Sequence, residues 1–311
     1  MRNFIGIDVG GTAIKYGLVN ESGEISFKKS YSAYFDNYAT SLLSTLKSSV
    51  RDFYNFINTK DISVDGIAMS VTGDIDCDKN LLVGGCGSIP DWENIHLDEE
   101  IIDAIQRFFP ISTINDANAA ALAESWLGSA KGYKNAIVYT IGTGIGGGII
   151  VDGHILNGAR GFAGNIGHMA ICSTEQNCHC GNNGCFEFVA STRALLKKAK
   201  NAGYDVDGKE LFERAKNDEV LKALVDEFFH YHGIALASLI HIFNPEAIVI
   251  GGGISAQGDW FVERIKCETK KHTLPHFYEN VDFKIAHFSN DAGILGAVKY
   301  FLDKEKSNEN N

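Results

Sequence analysis

Three cysteines and a histidine lie at a spacing that suits a metal ion. Cys178, Cys180 and Cys185 fall within a stretch of eight residues, and His168 precedes them. Three thiolates and one imidazole make the closed tetrahedral set that structural zinc prefers. Two alternatives stay open: the thiols are free and buried, or His179 replaces His168 as a ligand. The spacing predicts a structural zinc site with His168 and the three cysteines as ligands.

The pair Asn115–Asp116 is a second candidate for chemistry, because it stands between a short apolar segment and an alanine-rich one. Both residue types favour the N-cap of a helix, so a purely structural role is one interpretation. The other is catalytic, since phosphoryl transfer to an alcohol needs a carboxylate that accepts the hydroxyl proton. Phosphate-binding loops elsewhere in the chain would favour Asp116 as a general base.

Three glycine-rich segments could form such loops. The first reads Asp8-Val9-Gly10-Gly11-Thr12, and Lys15 lies on the strand that follows. Glycines let backbone N–H groups approach a phosphate, and the Thr12 hydroxyl adds a donor. The segment matches neither a P-loop nor a dinucleotide-binding fingerprint, because a strand rather than a helix follows it. A plain hairpin turn is the alternative at this position.

The second and third segments are richer in glycine. Gly142–Gly148 has five glycines in seven residues between two predicted strands. That costs more backbone entropy than a simple hairpin requires, which favours a phosphate-binding role. Gly251-Gly252-Gly253 ends a predicted strand and opens a helix, at the strand end where ligands of α/β folds bind. Together the three segments predict a nucleotide site.

Strands and helices must position these residues, and the apolar pattern predicts them in alternation. Strands are predicted at Asn3–Val9, Ala13–Val19, Glu24–Tyr31, Gly66–Val71, Ser112–Asn115, Asn135–Ile141, Ile149–Asp152, Ala247–Ile250 and Phe283–Ala286. Helices are predicted at Asn37–Asn58, Leu97–Phe108, Ala117–Leu127, Val220–Phe243 and Asp291–Phe301, with a frayed tail over Asp303–Asn311. This alternation predicts the α/β class.

The order of strand, glycine turn with threonine, and strand occurs twice in the 311 residues, first at Asn3–Val19 and again at Asn135–Asp152. This similarity favours two related half-domains over a repeat array. We therefore predict one lobe over residues 1–115 plus about 290–311, and a second lobe over 116–289. The last helix is expected to return to the first lobe because Ala292–Tyr300 has an apolar face.

The overall composition excludes several classes of protein. With 28 Lys and Arg against 39 Asp and Glu, the net charge is −11, which disfavours a nucleic-acid-binding surface. No apolar run approaches the ~20 residues that a spanning helix needs, and the start lacks the features of a signal peptide. Seven cysteines in such a chain indicate a reducing compartment. We expect a cytoplasmic protein that binds neither membrane nor nucleic acid.

Together these motifs resemble the ROK family of repressors, uncharacterised reading frames and sugar kinases. The resemblance covers nearly the whole chain and implies the two-lobed, ribonuclease-H-like or actin-like ATPase fold, with mixed sheets and a cleft between the lobes. It rests on the DVGGT motif, the segment Asn115–Glu124, the GTGIGGG loop, the run Cys178–Glu187 and the segment Asn244–Ser255. The spacing of the histidine and three cysteines is its most specific part.

The resemblance implies ATP-dependent phosphorylation of a hexose-type sugar, with Mg²⁺ on the nucleotide. Asp116 would accept the proton of the sugar's 6-hydroxyl. Asn115, Glu187 and His168 would contact the other hydroxyls, with His168 also on zinc. Phosphates and adenosine would be held by Gly10, Gly11, Thr12, Lys15, Thr143, Gly144, Gly146, Gly251, Gly252 and Gly253, with Asp8 near the magnesium. Such kinases are usually dimers or tetramers, so a homo-oligomer is expected.

Two positions depart from the family pattern. The family usually has glutamate where Asn165 stands, and that glutamate helps to hold the anomeric hydroxyl of a free sugar. A carboxylate only accepts hydrogen bonds, whereas an asparagine amide also donates. Because a glycosidic oxygen has no proton to give, Asn165 suits a sugar whose anomeric oxygen is substituted. The second departure is Ser88, where the family often has asparagine, and the smaller side chain leaves room in the sugar-side loop.

We therefore expect a β-glucoside such as cellobiose, phosphorylated at the 6-hydroxyl of its non-reducing glucose. The alternative substrate is a free sugar, N-acetylmannosamine or glucose. A sugar sensor that binds without turnover is a different hypothesis, although binding alone needs no base such as Asp116. An acetate-kinase-like or actin-like ATPase would leave the cysteine run unexplained. Repressor members of the family carry an additional N-terminal helix-turn-helix ahead of the first strand. The sequence begins at that strand and has a net charge of −11, so we do not expect a DNA-binding role.

Overall fold

The chain divides into two compact units. The computed structural model describes residues 1–34, 36–85, 89–253 and 257–309. Unit 1 comprises Met1–Leu127, Ile155–Ala163 and Asn290–Asn311, and unit 2 comprises Gly128–His154 and Gly164–Ser289. None of the helices in these described ranges is both long enough and apolar enough to cross a membrane.

Unit 1 is built on a five-stranded sheet. Its strands are β1 (Asn3–Val9), β2 (Ala13–Asn20), β3 (Ile25–Ser32), β4 (Gly66–Val71) and β8 (Ile111–Asn115). The strand order is β3-β2-β1-β4-β8, in which β1, β2 and β3 pair antiparallel while β4 and β8 join parallel. The unit also has a small sheet, which the sequence pattern missed because its strands are too short for a period to emerge: β5 (Asp74–Asp76), β6 (Leu81–Gly84) and β7 (Ile95–His96).

The helices of unit 1 are α1 (Leu42–Asn58), α2 (Leu97–Ile105), α3 (Asp116–Leu127) and α10 (Ala292–Glu309). α1 begins later than predicted because Ser41 caps it, its hydroxyl oxygen accepting a hydrogen bond from the Ser44 N–H at 3.2 Å. α10 continues past Phe301 through the segment expected to fray. An ion pair between Lys299 and Asp303, 2.5 Å apart, lies along that extension.

The helix α3 belongs to unit 1, whereas the predicted boundary after residue 115 assigned it to the second lobe. The physical reason is close packing against α10, which lies in the same unit. A Cβ on Gly296 would clash with the Ala119 carbonyl group, and a Cβ on Gly6 of β1 would lie 2.7 Å from Ile294 Cγ2. Glycine at these positions lets the two helices and the sheet approach closely. The segment Ile155–Ala163 also joins unit 1, a return of the chain that no local sequence pattern predicted.

Unit 2 repeats the same arrangement. Its strands are β9 (Ala136–Ile141), β10 (Ile145–Val151), β11 (His154–Ile155), β12 (Ala247–Gly251) and β13 (Asp282–Ile285), in the order β11-β10-β9-β12-β13. As in unit 1, an antiparallel hairpin (β9–β10) is extended by two parallel strands (β12 and β13). The α/β class predicted from the sequence is therefore confirmed, and the internal similarity extends from the glycine turns to the sheets.

The helices of unit 2 are α4 (Phe186–Ala190), α5 (Thr192–Asn201), α6 (Gly208–Arg214), α7 (Glu219–Phe243), α8 (Asp259–His272) and α9 (Pro275–Tyr278), with a short 3₁₀ turn at Ile166–His168. Of these helices, the sequence predicted α7 with nearly the observed bounds, and it predicted a further helix after Gly253 without bounds. Half of the residues of α8 are charged, and the helix buries a narrow stripe that includes Phe261, Val262 and Ile265. Such a weak apolar pattern does not stand out from a loop.

Candidate active site

The parallel strands of unit 1 bring two carboxylates to one edge of the sheet. Val9, Val71 and Asn115 lie in register across β1, β4 and β8. Asp8 therefore lies one residue before the end of β1, and Asp116 directly follows the end of β8. The carboxyl ends of parallel strands are where α/β folds bind their ligands. Asp8 and Asp116, both singled out from the sequence, consequently share this edge.

Asn115 and Asp116 divide between them the two roles considered for the pair. Asn115 Oδ1 accepts hydrogen bonds from the backbone N–H groups of Ala117 (2.9 Å) and Asn118 (3.2 Å), so Asn115 caps α3. Its side-chain amide donates to the Gly73 carbonyl and to Asp116 Oδ1, both at 3.0 Å. All four hydrogen-bonding positions of Asn115 are thus used within the protein, so a sugar hydroxyl would have to replace one of these partners.

Hydrogen bonds hold the Asp116 carboxylate in place, and its surroundings disfavour its ionised form. Its Oδ1 also accepts from the Ala117 N–H at 2.8 Å. The pKa of Asp116 is raised from 3.8 to about 6, mainly by burial and then by the negative charge of Asp8, while hydrogen bonds from Ala117, Asn115 and Thr72 act in the opposite direction. A carboxylate with a pKa near 6 is ionised at neutral pH and still basic enough to accept a proton.

Asp8 is surrounded by groups that hold it in position. Its Oδ2 pairs with Lys15 Nζ at 3.4 Å, and its Oδ1 accepts a hydrogen bond from the Ser70 hydroxyl at 3.1 Å. On α10, Gly293 leaves room for Asp8, because a Cβ there would clash with the carboxylate. Lys15, predicted to contact phosphate, therefore neutralises part of the Asp8 charge. Gly293 was missed by the sequence analysis, although a glycine inside a helical pattern is a signal of close packing.

The first glycine segment forms the tight turn between β1 and β2. The Gly10 N–H donates to the Ala13 carbonyl at 3.0 Å, and the Tyr38 hydroxyl donates to the Gly11 carbonyl. A Cβ on Gly11 would lie 3.1 Å from Tyr38 Oη, so the turn packs against this tyrosine. Thr12 is exposed at the tip. The geometry is that of a hairpin whose hydroxyl donor faces solvent.

The second glycine segment is shorter as a turn than the sequence suggested. Only residues 142–144 connect the strands, because β10 already begins at Ile145 rather than at Ile149. Gly146, predicted to contact the nucleotide, pairs with Thr140 within the sheet. Gly147 serves packing, since a Cβ there would lie 2.5 Å from Ile166 Cδ1. The predicted extent of the turn, Gly142–Gly148, is therefore wrong: Gly142, Thr143 and Gly144 form the turn, and their contact with phosphate stays a prediction.

Glu187 lies in the first turn of helix α4 and contacts the short connection between β9 and β10. Its Oε2 accepts a hydrogen bond from the Ile145 N–H at 2.9 Å, and a Cβ on Gly144 would clash with the same oxygen. Its Oε1 lies 3.9 Å from His179 Nδ1. The carboxylate predicted to contact a sugar hydroxyl thus also touches the turn predicted to contact phosphate, a link that the sequence did not reveal.

The third glycine segment begins in β12, whose last residue is Gly251. Gly252 has a positive φ of 87°, and a Cβ on it would clash with the Ile141 carbonyl at the end of β9. A Cβ on Gly253 would meet no atom within 4 Å. Residues 254–256, where the predicted helix would begin, lie outside the described residues, and α8 begins at Asp259. The segment lies at the carboxyl end of β12, beside the end of β9.

The four predicted metal ligands come together in unit 2. One ligand atom from each of His168, Cys178, Cys180 and Cys185 lies within 4.8 Å of the others. Cys180 Sγ and Cys185 Sγ are 3.6 Å apart, and Cys178 Sγ is 4.0 Å from His168 Nδ1. Tetrahedral zinc bonds to sulfur and nitrogen imply ligand separations of roughly 3.5–3.8 Å. The donor set and its spacing therefore fit a structural zinc ion.

The backbone around the cysteines is shaped by two glycines. Gly181 and Gly184 have positive φ angles of 90° and 72°, and a Cβ on Gly184 would clash with the Cys172 carbonyl. A hydrogen bond from the Asn182 N–H lowers the pKa of the Cys180 thiol, whereas burial raises the pKa of Cys178 and of Cys185. A bound cation would offset the cost of ionising the two buried thiols.

The two positions that depart from the family pattern differ in what the structure shows. Asn165 is exposed and precedes the 3₁₀ turn, where its carbonyl accepts a hydrogen bond from the His168 N–H at 3.2 Å. It therefore lies three residues from a predicted zinc ligand. Ser88 lies outside the described residues. His179, the alternative zinc ligand, has its Nδ1 3.5 Å from Cys178 Sγ and 3.9 Å from Glu187 Oε1.

Comparison with known proteins identifies the fold and then the family. A ROK family glucokinase from Streptomyces griseus, solved in complex with glucose and AMPPNP, superposes with a TM-score of 0.79 at 27% identity, covering 96% of this chain and 98% of that one. The actin-like ATPase fold implied by the sequence is therefore confirmed. The model of the ROK family matches residues 4–304. This chain belongs to the ROK family.

The similar curated proteins include both enzymes and regulators. A glucokinase from Halalkalibacterium halodurans is 32% identical over 99% of this chain and 97% of its own length. A beta-glucoside kinase from Listeria monocytogenes is also 32% identical, over 97% of this chain and 98% of its own. A xylose repressor from Caldicellulosiruptor bescii is 29% identical over 95% of this chain, which spans 77% of that repressor.

Proposed function

We propose that this ROK family member transfers the terminal phosphoryl group of ATP to the 6-hydroxyl of a hexose unit. The observation that carries the proposal is the Asp116 carboxylate, placed at the carboxyl edge of the unit 1 sheet with its pKa raised to about 6. A carboxylate kept there at an electrostatic cost is suited to accept a proton. A protein that only bound sugar would need no such group.

In the proposed reaction the residues of this chain orient the groups and move one proton. Asp116 accepts the proton of the 6-hydroxyl as that oxygen forms a bond to the terminal phosphorus. The bond between this phosphorus and the bridging oxygen breaks, and ADP leaves with the electron pair. Asn115 orients Asp116 through the 3.0 Å hydrogen bond to Oδ1. Magnesium on the nucleotide would neutralise phosphate charge, and Asp8 is the carboxylate suited to contact its water ligands.

The relatives support both the phosphoryl donor and the class of acceptor. The Streptomyces griseus enzyme was solved with glucose and AMPPNP, an analogue of ATP, and the chain is similar to it along nearly its full length. The two kinases that are 32% identical are named for glucose and for beta-glucosides. Backbone N–H groups of glycine-rich turns can bind a polyphosphate without a basic surface, which is the role predicted for the turns at Gly10–Thr12, Thr143–Gly144 and Gly252–Gly253.

We propose a β-glucoside such as cellobiose as the preferred acceptor. Asn165 supports this choice, because an amide can donate a hydrogen bond to a glycosidic oxygen, which a carboxylate cannot. The alternative is a free sugar, glucose or N-acetylmannosamine, and the similarity to a glucokinase favours glucose among these. Both acceptors present a primary 6-hydroxyl, so the role of Asp116 is the same in either case.

A structural zinc ion is part of the proposal. His168, Cys178, Cys180 and Cys185 would hold it, and it would fix the segment that carries Asn165 and the start of α4, where Glu187 lies. His168 would then present one ring nitrogen to the metal and the other to a sugar hydroxyl. Assembly as a homo-oligomer and a cytoplasmic location remain predictions from the sequence.

The experiment that tests the proposal compares phosphate transfer from ATP to cellobiose, glucose and N-acetylmannosamine under identical conditions. We expect the highest kcat/KM with cellobiose, and a phosphorylated product in which the 6-position of the non-reducing ring is modified. A higher kcat/KM with a free monosaccharide would overturn the glucoside proposal while leaving the kinase proposal intact. Saturable sugar binding without ATP consumption for any acceptor would identify a sensor instead.

A further inference from the structure

A second group of metal-binding side chains lies in unit 2, on helices that take no part in the proposed reaction. His230 of α7 and Glu268 and His272 of α8 each offer one ligand atom, and these three atoms lie within 4.8 Å of one another. The centroids of the two imidazole rings are 5.1 Å apart. None of the three residues belongs to the cysteine cluster.

The packing of α7 against α8 fixes this arrangement. Gly233 lies one turn after His230, and a Cβ on it would lie 2.8 Å from the Glu268 carbonyl carbon. Glycine therefore lets the two helix backbones approach closely beside the cluster. Glu268 and His272 are four residues apart, so both side chains project from the same face of α8. Three potential ligands thus converge from two helices that are held rigidly together.

Glu268 is the residue of this cluster whose position is fixed by burial. It is only 6% exposed, and its Oε1 contacts Lys271 Nζ at 2.7 Å and Arg264 at 3.7 Å. Both cations contact the same oxygen, and because a carboxylate has acceptor positions on both of its oxygens, Glu268 can still be a metal ligand. His230 and His272 are exposed, so an ion can reach the cluster from solvent. One ligand is therefore fixed by burial, and the two others can adjust.

We propose that His230, Glu268 and His272 bind a divalent transition-metal ion such as Zn²⁺ or Ni²⁺, with water in the remaining positions. Two imidazoles and one carboxylate form a set that these ions accept, as in zinc sites with two histidines and a glutamate. Mg²⁺ and Ca²⁺ are excluded as preferred occupants because they favour all-oxygen coordination. The bound ion would bridge α7 and α8 and stabilise the folded state in proportion to its free concentration.

The test is a titration of the intact protein after the cysteine site has been filled with one equivalent of Zn²⁺. Isothermal titration with Ni²⁺ is expected to reveal one further equivalent in the wild-type protein. H230A and H272A should each lose that equivalent, or bind it at least 10-fold more weakly. The matched control H276A removes an exposed histidine outside the cluster and should bind as the wild type does.

Cobalt distinguishes the two sites by spectroscopy. Co²⁺ in the cysteine site gives a thiolate-to-metal charge-transfer band, whereas Co²⁺ in the proposed site has no sulfur ligand and should add only weak d–d absorption. That added absorption should disappear in H230A and H272A, while the charge-transfer band and the phosphoryl-transfer activity persist. The proposal is overturned if the wild type binds no further equivalent, or if the further equivalent survives in both histidine variants.

Discussion

The side-chain carboxylate of Glu187 accepts a hydrogen bond from the backbone N–H of Ile145, with 2.9 Å between Oε2 and the nitrogen. This bond joins the helix that follows the cysteine cluster to the glycine turn between β9 and β10. Gly144 allows it, because a Cβ there would clash with the carboxylate. The residue proposed to bind sugar and the turn proposed to bind phosphate are therefore coupled within unit 2.

This coupling predicts different effects for two substitutions of Glu187. Glu187→Gln keeps an oxygen that can accept from the Ile145 N–H, whereas Glu187→Ala leaves that donor without its partner. We expect Glu187→Gln to raise mainly the KM for the sugar. Glu187→Ala should also raise the KM for ATP by about 10-fold or more, the usual scale for a lost hydrogen bond to a charged group. Steady-state kinetics with each substrate varied in turn measures both effects. Equal KM values for ATP in the two variants would show that the bond does not organise the turn.

The cysteine cluster predicts one tightly bound zinc ion per chain. Elemental analysis of freshly purified protein should give a zinc-to-protein ratio near one, once ions at weaker sites are removed by dialysis. Cys178→Ser should lower this ratio and the Tm, because the free energy of metal binding contributes to the stability of the folded state. Cys267→Ser is the matched control, since Cys267 is exposed and outside the cluster. If the purified wild-type protein contains no metal and Cys178→Ser leaves the Tm unchanged, the result would favour free buried thiols.

The raised pKa of Asp116 predicts a pH dependence of the reaction. Only the ionised carboxylate can accept a proton, so kcat/KM should fall as the pH drops below about 6, by about tenfold per pH unit on the acidic limb. Asp8→Asn removes the neighbouring negative charge and should move this limb to lower pH, whatever it does to the maximal rate. An acidic limb near pH 4 in the wild type, or one that does not move in Asp8→Asn, would contradict this assignment.

Many of the strands and helices could be predicted because they follow from local sequence patterns. The strand Gly66–Val71 has the same bounds in the structure as in the sequence analysis, since a run of buried apolar residues defines it. The sequence pattern could not show which glycines after β9 belong to the turn and which belong to β10. Gly146 and Gly147 lie in β10 because Ile166, distant in sequence, packs against Gly147. A local pattern shows that glycine is present but not which neighbour requires it.

The candidate site was predictable to a similar extent. His168 and the three cysteines were found because metal ligands impose a fixed chemistry and a short spacing. The division of roles between Asn115 and Asp116 could not be predicted, since it depends on the orientation of one amide between Gly73 and a carboxylate. The pKa of Asp116 likewise depends on Asp8, which lies far earlier in the sequence and which the sheet brings near.

The role assigned to Asn165 predicts a change of substrate preference. Asn165→Glu replaces an amide that donates and accepts with a carboxylate that only accepts. The ratio of kcat/KM for cellobiose to that for glucose should therefore fall, by about 10-fold for one hydrogen bond made or lost at a sugar oxygen. Asn165→Asp is a control with the same charge but a shorter reach. An unchanged ratio in Asn165→Glu would show that Asn165 does not set the preference.

The ionised form of Asp116, which the reaction requires, should lower the stability of the folded state. Because its pKa of about 6 in the folded protein exceeds the ordinary 3.8, the folded state binds the proton more tightly than the unfolded state does. Ionisation at pH above 6 therefore destabilises the fold, and this cost is absent below about pH 4. Asp116→Asn should raise the Tm at pH 7.5 by a few degrees. The difference from wild type should shrink as the pH falls below 6. A lower Tm in the variant at pH 7.5 would contradict this account.

The most direct test of the central claim is phosphoryl transfer by Asp116→Asn, with turnover measured at saturating ATP and sugar. The substitution keeps the size of the side chain, so the fold and the affinity for both substrates should persist. Loss of a general base is expected to lower kcat by roughly 10²–10⁴-fold. A folded Asp116→Asn protein that turns over at the wild-type rate would remove Asp116 from the mechanism and contradict the proposed reaction.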